Sequence, residues 1–257
     1  MNTRRLLLKL SKKFPKKLAK KHHDYVGLMC GTLKDDVKRI FLCLDFDDTI
    51  YNQMLEVKPD LIITHHPFIY GQKSKVLKYD LRKKELVDKL LADNIPVYSF
   101  HTNFDEGKDG MNDALAKKAG LKNIRQLEVE PMARGGELPY PMTMEELTKY
   151  LCDKFGVSYG ICMNYGTKTI KNMAIIGGGG WYMYEKVALE GYDCYVSGDI
   201  PHHGRRGVVT GKFNYIDLPH EIENIFMEQM KKVLLEIDES LEIVTITHEK
   251  SPQIIMN

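Results

Sequence analysis

The sequence predicts an α/β protein built from two similar α/β halves. Short apolar runs alternate with helical patterns along the chain, and the runs are continuously apolar instead of alternating with polar residues. Continuous apolar runs are typical of strands buried on both faces, and strands that alternate with helices are typical of largely parallel sheets. A chain of 257 residues is long enough for one large or two small domains.

The predicted elements follow the apolar pattern in chain order. The predicted strands are Arg39–Leu44, Leu61–Thr64, Val97–Phe100, Met173–Ile176, Cys194–Val196, Tyr215–Leu218 and Ile243–Ile246. The predicted helices are Tyr51–Val57, Leu81–Ala92, Met111–Lys118, Met144–Phe155, Tyr182–Leu189 and Glu221–Leu235.

The first 23 residues are unusually basic. Leu6, Leu7 and Leu10 have helical spacing, and Pro15 suits the start of a second helix. This pattern predicts an amphipathic helix with a solvated basic side, and a phosphate-binding arm is the alternative. The apolar stretch is too short for a signal peptide, and no segment approaches the roughly 20 apolar residues of a membrane span.

The composition limits the kinds of binding partner and the cellular compartment that we expect for the protein. The formal net charge is only +2, so no strong field of the whole protein favours nucleic acid or membrane partners. The five cysteines form no Cys-x-x-Cys pair, which argues against a disulfide framework or a thiolate zinc site. We therefore expect a reducing compartment, and a cytoplasmic protein.

A polar stretch rich in glycine and proline, Glu130–Pro141, divides the apolar pattern. It predicts a first half over 1–130, a short linker over 131–141 and a second half over 142–257. We expect the second half to share a sheet, or to pack, with the N-terminal part of the chain.

Histidines follow a predicted buried strand in Leu61-Ile-Ile-Thr-His-His-Pro67. Adjacent side chains of an extended strand point to opposite faces, but Pro67 indicates that the strand ends here and that the backbone turns. His65 and His66 can then face one cavity. Two unrelated loop histidines are the alternative.

The next predicted strand also ends in metal-binding residue types, His101 and Asp105. Ligand sites gather at the carboxyl ends of strands in open α/β sheets. Asp105 could instead cap the helix that begins near Met111 or close an Asx turn. This motif alone does not distinguish a metal ligand from these structural roles.

A third strand end supplies His220 and Glu223 after Pro219. A spacing of three places both side chains on one helical face, although an ordinary solvated helix start would look the same. Together the strand ends offer His65, His66, Asp105, His220 and Glu223, a mixed donor set that suits Zn, Mn, Fe or Co and allows a bridged pair of ions.

Two other motifs compete with this interpretation. Asp45 and Asp47 follow an apolar run as in the nucleophile strand of haloacid-dehalogenase phosphatases, but a convincing acidic pair for magnesium is absent from the sequence and the histidines would be unused. Gly177–Gly180 could cradle an anion or form a tight packing turn, and it is not a dinucleotide fingerprint.

The motifs, in order, resemble those of the Nif-three-like family, homologues of type 2 GTP cyclohydrolase 1. Asp24-Tyr-Val-Gly-Leu28, Asp60-Leu-Ile-Ile-Thr-His-His-Pro67, His101-Thr-Asn-Phe-Asp105, Gly110-Met-Asn-Asp-Ala-Leu115 and Gly191–Asp199 with His203 are similar to family motifs. Pro219 departs from the family's usual glycine before the final metal histidine, and Ser197 replaces its usual threonine.

The resemblance implies two α/β halves with a dinuclear metal site in the cleft between them and a toroidal homohexamer. It assigns two divalent ions per chain to His65, His66, Asp105, His220 and Glu223, and it implies that His101 and His203 lie near them as proton carriers or supporting groups.

Two functions follow from the sequence. One is a metal-dependent hydrolase acting on a nucleotide-like or phosphorylated small molecule, although no residue identifies a guanine pocket. The other is a non-enzymatic metal carrier or a ring-shaped scaffold that binds a partner or nucleic acid, the last suggested by the basic N-terminal helix. A phosphatase using Asp45 and Asp47 is a third interpretation.

Overall fold

The computed structural model describes residues 1–247 and 252–255. The chain forms two compact units, which we call unit 1 (1–110 and 226–247) and unit 2 (111–225 and 252–255). The described residues contain no helix that is long and apolar enough to cross a membrane. Strands and helices are numbered below along the whole chain.

Unit 1 contains a five-stranded sheet. Its strands are β1 (Gly27–Cys30), β2 (Arg39–Cys43), β3 (Leu61–Thr64), β4 (Val97–Ser99) and β11 (Glu242–Thr245). They lie in the order β1-β4-β3-β2-β11, and all neighbours are parallel except β1, which runs antiparallel to β4. The C-terminal strand β11 therefore completes the sheet that the N-terminal part of the chain begins.

Continuous apolar runs place β2 and β3 in the interior of unit 1, as the sequence predicts. Every residue of β3 is buried, and so is β2 from Ile40 onward. The helices of this unit are α1 (Thr3–Lys13), α2 (Lys16–Lys21), α3 (Asp48–Val57), α4 (Lys73–Tyr79), α5 (Leu81–Ala92), α6 (Thr102–Glu106) and α11 (Ile225–Ile237). One face of the sheet packs through Phe41, Ile62 and Val97 against Met54 and Leu90 of the helices.

The basic N-terminal segment forms two helices, with the break at Pro15 that the sequence predicts. Leu6, Leu7 and Leu10 are buried, so α1 packs on its apolar side. Several lysines have partners within unit 1: Lys13 pairs with Asp109 at 3.2 Å, and Lys21 pairs with Glu106. The helices are therefore part of unit 1, and most of their basic side chains are exposed to solvent.

Unit 2 contains a six-stranded mixed sheet. Its strands are β5 (Lys122–Gln126), β6 (Arg134–Met142), β7 (Ile161–Asn164), β8 (Ile170–Ile175), β9 (Cys194–Ser197) and β10 (Asn214–Asp217), in the order β5-β6-β8-β9-β10-β7. The three strands β8, β9 and β10 are parallel, and the other pairings are antiparallel. Its helices are α7 (Met111–Lys118), α8 (Met144–Phe155), α9 (Tyr184–Leu189) and α10 (His202–Thr210), with 3₁₀ turns at Trp181–Met183 and His220–Asn224.

The stretch predicted as a linker, 131–141, lies largely within β6, a strand inside the second sheet. Its glycines serve close packing: a Cβ on Gly135 would lie 2.1 Å from the Tyr192 hydroxyl, and one on Gly136 would lie 2.6 Å from the Lys122 carbonyl oxygen. The units instead divide at residue 110 and again at residue 225, so the predicted halves 1–130 and 142–257 do not coincide with them. Composition alone did not distinguish a glycine-rich strand from a linker.

Candidate metal centre

The histidines of unit 1 follow the carboxyl ends of two neighbouring parallel strands. Thr64 of β3 is in register with Ser99 of β4, and their hydroxyl oxygens are 2.7 Å apart. His65 and His101 therefore leave the same edge of the sheet. This is the placement that the strand-end argument predicted.

Three imidazoles form a cluster at this edge, which we call the histidine cluster: His65, His66 and His101. A ring nitrogen of each lies within 4.8 Å of a ring nitrogen of the other two. The ring centroids are 5.1 Å apart for His65 and His66, and 5.1 Å apart for His65 and His101. His65 is fully buried, whereas the other two are partly exposed. The cluster can therefore present nitrogen donors toward one point.

His65 is held in one tautomer by the backbone. Its Nδ1 lies 3.0 Å from the carbonyl oxygen of Phe100, which only accepts hydrogen bonds, so Nδ1 carries the proton. In the neutral ring Nε2 then presents its lone pair, and that atom is 3.4 Å from Oδ1 of Asp105. The ring also packs against Phe226 at 5.0 Å, which limits its rotation. Nitrogen and carboxylate oxygen face each other at a distance that suits a shared proton or cation.

Asp105 reaches this position because a short helix begins at the histidine cluster. The Asp105 N–H donates to the carbonyl oxygen of His101 at 3.0 Å, within the first turn of α6. Asp105 therefore belongs to α6 and does not cap the later helix at Met111, which was the alternative interpretation.

Carboxylates orient the other two histidines of the cluster. Nδ1 of His66 lies 2.8 Å from Oδ2 of Asp45, and Nδ1 of His101 lies 2.8 Å from Oδ2 of Asp24. Each carboxylate fixes the ring and makes its Nε2 a better electron donor, as in carboxylate–histidine pairs that support metals. Burial raises the pKa of Asp24, but hydrogen bonds from His101 and Thr102 and the charge of His101 outweigh it, and the pKa falls to about 2.

Asp45 and Asp47 have roles in this arrangement that differ from those of a phosphatase. Asp45 holds His66, and Oδ1 of Asp47 accepts the Ile50 N–H at 3.0 Å as the N-cap of α3. A carboxylate at this position satisfies an open N–H group and complements the helix dipole. The geometry thus accounts for both acids without nucleophilic chemistry.

Unit 2 places His220 and Glu223 at the end of β10. Pro219 is the N-cap of the 3₁₀ turn His220–Asn224, so the predicted α-helix is replaced here by a tighter turn. Residues three apart are eclipsed in a 3₁₀ turn, and Nε2 of His220 lies 2.9 Å from Oε2 of Glu223. The proline in place of the family's usual glycine is therefore compatible with a paired histidine and glutamate.

A second carboxylate, Asp199, holds the other ring nitrogen of His220. Oδ2 of Asp199 lies 2.5 Å from Nδ1 of His220. Hydrogen bonds to Asp199 and Glu223 raise the pKa of His220 to about 11, against the opposing effect of burial. Without a bound cation the two carboxylates favour the protonated ring, and a cation bound at Nε2 would take the place of one proton.

The glycine-rich turn Gly177–Gly180 packs against Glu223. A Cβ on Gly177 or Gly178 would lie 2.9 or 2.8 Å from Oε1 of Glu223. The Gly177 N–H donates to Oδ1 of Asn112 at 2.8 Å. A carboxylate against the turn disfavours an anion there, so the packing interpretation is the better of the two open alternatives.

His203 lies apart from the predicted ligands of unit 2. It is exposed on α10, and its ring meets Trp181 edge-on at 5.0 Å. In the described part of the chain, it belongs to no group of three metal-binding side chains with convergent ligand atoms. Its expected nearness to the metals therefore stays a prediction.

The sequence argument missed the carboxylates that orient the histidines, Asp24, Asp45 and Asp199. Asp24 and Asp199 stand inside the recognised motifs, so their positions were visible but their role was not. With these partners, the donors fit a divalent transition metal: neutral imidazole Nε2 atoms and carboxylate oxygens, each imidazole supported at Nδ1.

Comparison with known proteins gives a consistent family. The model of Duf34/NIF3 (NGG1p interacting factor 3) matches residues 1–252. The GTP cyclohydrolase 1 type 2 homolog of Clostridium acetobutylicum is 34% identical over 195 residues, which cover 72% of this chain and 71% of that protein. The protein of the same name from Lactococcus lactis is 28% identical over 250 residues, 96% of each chain.

Solved structures share the fold. The hypothetical protein SA1388 of Staphylococcus aureus is similar with a TM-score of 0.89 and 23% identity, over 100% of this chain and 99% of that one. Reduced HcgD from Methanocaldococcus jannaschii is similar with a TM-score of 0.79 and 24% identity, over 95% and 97%. The family model spans nearly the whole chain and the relatives match most of it, so the resemblance seen in the sequence is confirmed: this chain belongs to the Duf34/NIF3 family.

Proposed function

We propose that the chain binds divalent metal ions and hydrolyses a nucleotide-like or phosphorylated small molecule. The proposed ligands are His65, His66 and Asp105 in unit 1, and His220 and Glu223 in unit 2. The observation that carries the proposal is shared by the three histidines among these ligands, His65, His66 and His220. Each has an acceptor at Nδ1, which directs Nε2 to act as the electron donor to a metal.

The chemistry follows from the donor set. A pair of divalent ions, when bound, lowers the pKa of a coordinated water and polarises a substrate oxygen. The chain's own contribution is to orient the donors and to handle the proton. His101, held by Asp24 and next to His65 and His66, is the proposed proton carrier, and His203 is the second candidate for that role.

The first test is elemental analysis of the purified protein beside a His65→Ala, His66→Ala variant. We expect about two transition-metal ions per chain in the wild type, as for a two-metal site, and their loss in the variant. A matched control replaces the exposed histidines His23 and His202 with alanine and should retain the metal. A wild-type protein that contains no metal, and takes up none on incubation, would contradict the proposal.

Activity is tested separately from binding. Metal-loaded protein would be screened against phosphate esters and nucleotides, GTP included, with the His101→Gln variant as a comparison. Inactivity across the panel, with metal bound, would favour the alternative of a metal carrier, which is measured as rapid transfer of the ion to a chelating acceptor.

The basic N-terminal helices support a second candidate, a scaffold that binds nucleic acid. Lys17 and Lys20 are exposed, while Lys13 and Lys21 have acidic partners. Salt-dependent DNA binding that is lost on neutralising Lys17 and Lys20 would support it, and no binding at low salt would end it. The homohexamer and the cytoplasmic location stay predictions, the first checked by native mass spectrometry and the second by fractionation.

A further inference from the structure

Unit 1 contains a cavity beside the histidine cluster that the proposed metal ligands do not use. Its volume is about 290 Å³, near the lower end of small-molecule pockets. Val26, Met29 and Ile69 give it an apolar lining, and Tyr25 and Lys73 also border it. A cavity of this size suits a single ring system with one substituent.

Tyr25, which borders the cavity, and Tyr70, which contacts Tyr25, both leave large areas of ring in solvent. Tyr25 borders the cavity and is 42% exposed, and Tyr70 is 64% exposed. Their rings meet edge to face with centroids 5.4 Å apart, so each supports the orientation of the other. Aromatic faces that are ordered yet exposed are the usual platform on which flat ring ligands stack.

Lys73 gives the cavity a positive charge. Its Nζ donates to the carbonyl oxygen of Met29 at 3.2 Å, which orients the ammonium without neutralising it. An ammonium has three donors, so further hydrogen bonds to a ligand are available. Among the described residues, no acidic side chain forms a salt bridge with Lys73. The cavity therefore complements an anion.

Asp24 joins this cavity to the histidine cluster. It is part of the cavity wall, and its Oδ2 accepts hydrogen bonds from His101 Nδ1 at 2.8 Å and Thr102 Oγ1 at 2.6 Å. Because it already accepts these hydrogen bonds, the Asp24 carboxylate repels an anionic ligand less than a carboxylate without donors would. A ligand in the cavity would be separated from His101 by a single side chain.

We propose that this cavity binds a flat aromatic ring that carries an anionic group, with the ring on Tyr25, which Tyr70 supports, and the anion at Lys73. As an account of substrate recognition it rests on the proposed function, but the binding itself does not require metal. The same chemistry is offered by a nucleoside monophosphate and by a small aromatic carboxylate.

Isothermal titration calorimetry with paired probes tests the proposal and separates the two sources. AMP is compared with adenosine, and nicotinate with nicotinamide, so that each pair differs in charge. Ribose 5-phosphate tests the need for the ring. We expect AMP or nicotinate to bind at least about fivefold more tightly than its neutral partner, and ribose 5-phosphate to bind more weakly than AMP.

Two variants locate the site. Tyr25→Leu should weaken the preferred anion about tenfold, and Lys73→Gln should remove most of the difference between charged and neutral probes. The controls are Tyr165→Leu, an exposed tyrosine of unit 2, and Lys75→Gln, an exposed lysine on the same helix as Lys73. Both controls should bind as the wild type does.

Metal content, measured on the same samples, distinguishes the two proposals. Tyr25→Leu should retain the wild-type metal content while losing the probe. If the wild type takes up no metal but binds a probe in a way that depends on Tyr25 and Lys73, this site is supported and the metal-binding function is contradicted. Wild-type protein that binds metal but neither anion, or variants that bind the anions as well as the wild type, would overturn the cavity proposal.

Discussion

Nδ1 of His220 lies 2.5 Å from Oδ2 of Asp199, which follows the end of the neighbouring strand β9. Asp199 has a φ of 57°, in the left-handed region that few residues other than glycine, asparagine and aspartate enter readily. The backbone conformation brings the carboxylate to the histidine, so a local turn at one strand end orients a proposed ligand at the next.

Asp199→Asn should therefore weaken metal binding. Asparagine tolerates the same backbone conformation, so the change removes chiefly the charge beside His220. Loss of such a supporting carboxylate typically costs 10- to 100-fold in metal affinity. Competition against a chromophoric chelator would measure it, with Asp153→Asn, an exposed acid on α8, as the control. Equal affinities for both variants would show that Asp199 does not support a ligand.

Asp45→Asn separates metal support from phosphatase chemistry. If Asp45 orients His66, metal affinity should fall about tenfold, and activity should recover when excess metal is supplied. If Asp45 is a nucleophile, activity should vanish at every metal concentration while metal content stays unchanged. Asp48→Asn is the control, since that acid pairs with Arg82 in the same acidic run.

Gly178→Ala should disturb Glu223. The added methyl carbon would lie 2.8 Å from Oε1 of Glu223, and the φ of 63° adds strain of about 1–2 kcal/mol. Gly191→Ala is a matched control, because Gly191 has a φ of 87° and no atom within 4 Å of the added carbon. Both variants should lose stability in urea, but only Gly178→Ala should lose metal affinity. A loss of affinity in both would mean that backbone strain alone is responsible.

The sequence predicted the elements whose pattern is local. Leu61–Thr64 and Leu81–Ala92 have the predicted bounds because a continuous apolar run and a helical repeat are visible without knowledge of neighbours. Strand β5, Lys122–Gln126, is mostly exposed and carries no apolar pattern, so it escaped prediction. Its place depends on pairing with β6, which is a tertiary contact.

The candidate site likewise contains features that the sequence predicts and features that depend on tertiary contacts. Strand ends marked His65, His66 and Asp105 because a proline or a polar run stops an apolar segment. The pairing of His66 with Asp45 needed the additional fact that β2 lies beside β3, which the sequence did not provide. Likewise, the glycines of Gly177–Gly180 became intelligible only when Glu223 was found against them.

Asp217 gives the protein a pH dependence of stability that can be measured without metal. Burial raises the pKa of Asp217 to about 6, since the hydrogen bond from the Ile200 N–H and the charge of Arg205 offset it only in part. The folded state then holds the proton more tightly than the unfolded state, whose pKa is about 3.9. The stabilisation that the protonated Asp217 provides is therefore fully present below about pH 4, and it is lost as the pH rises through about 6.

Asp217→Asn removes that titration while keeping an oxygen for the Ile200 N–H. Relative to the wild type, the variant should be more stable by about 1–2 kcal/mol at pH 8 and nearly equal at pH 4.5. Urea unfolding in the presence of a chelator at both pH values gives the comparison. A variant that is less stable at pH 8 would mean that the ion pair with Arg205, at 3.6 Å, outweighs the cost of burying the charge.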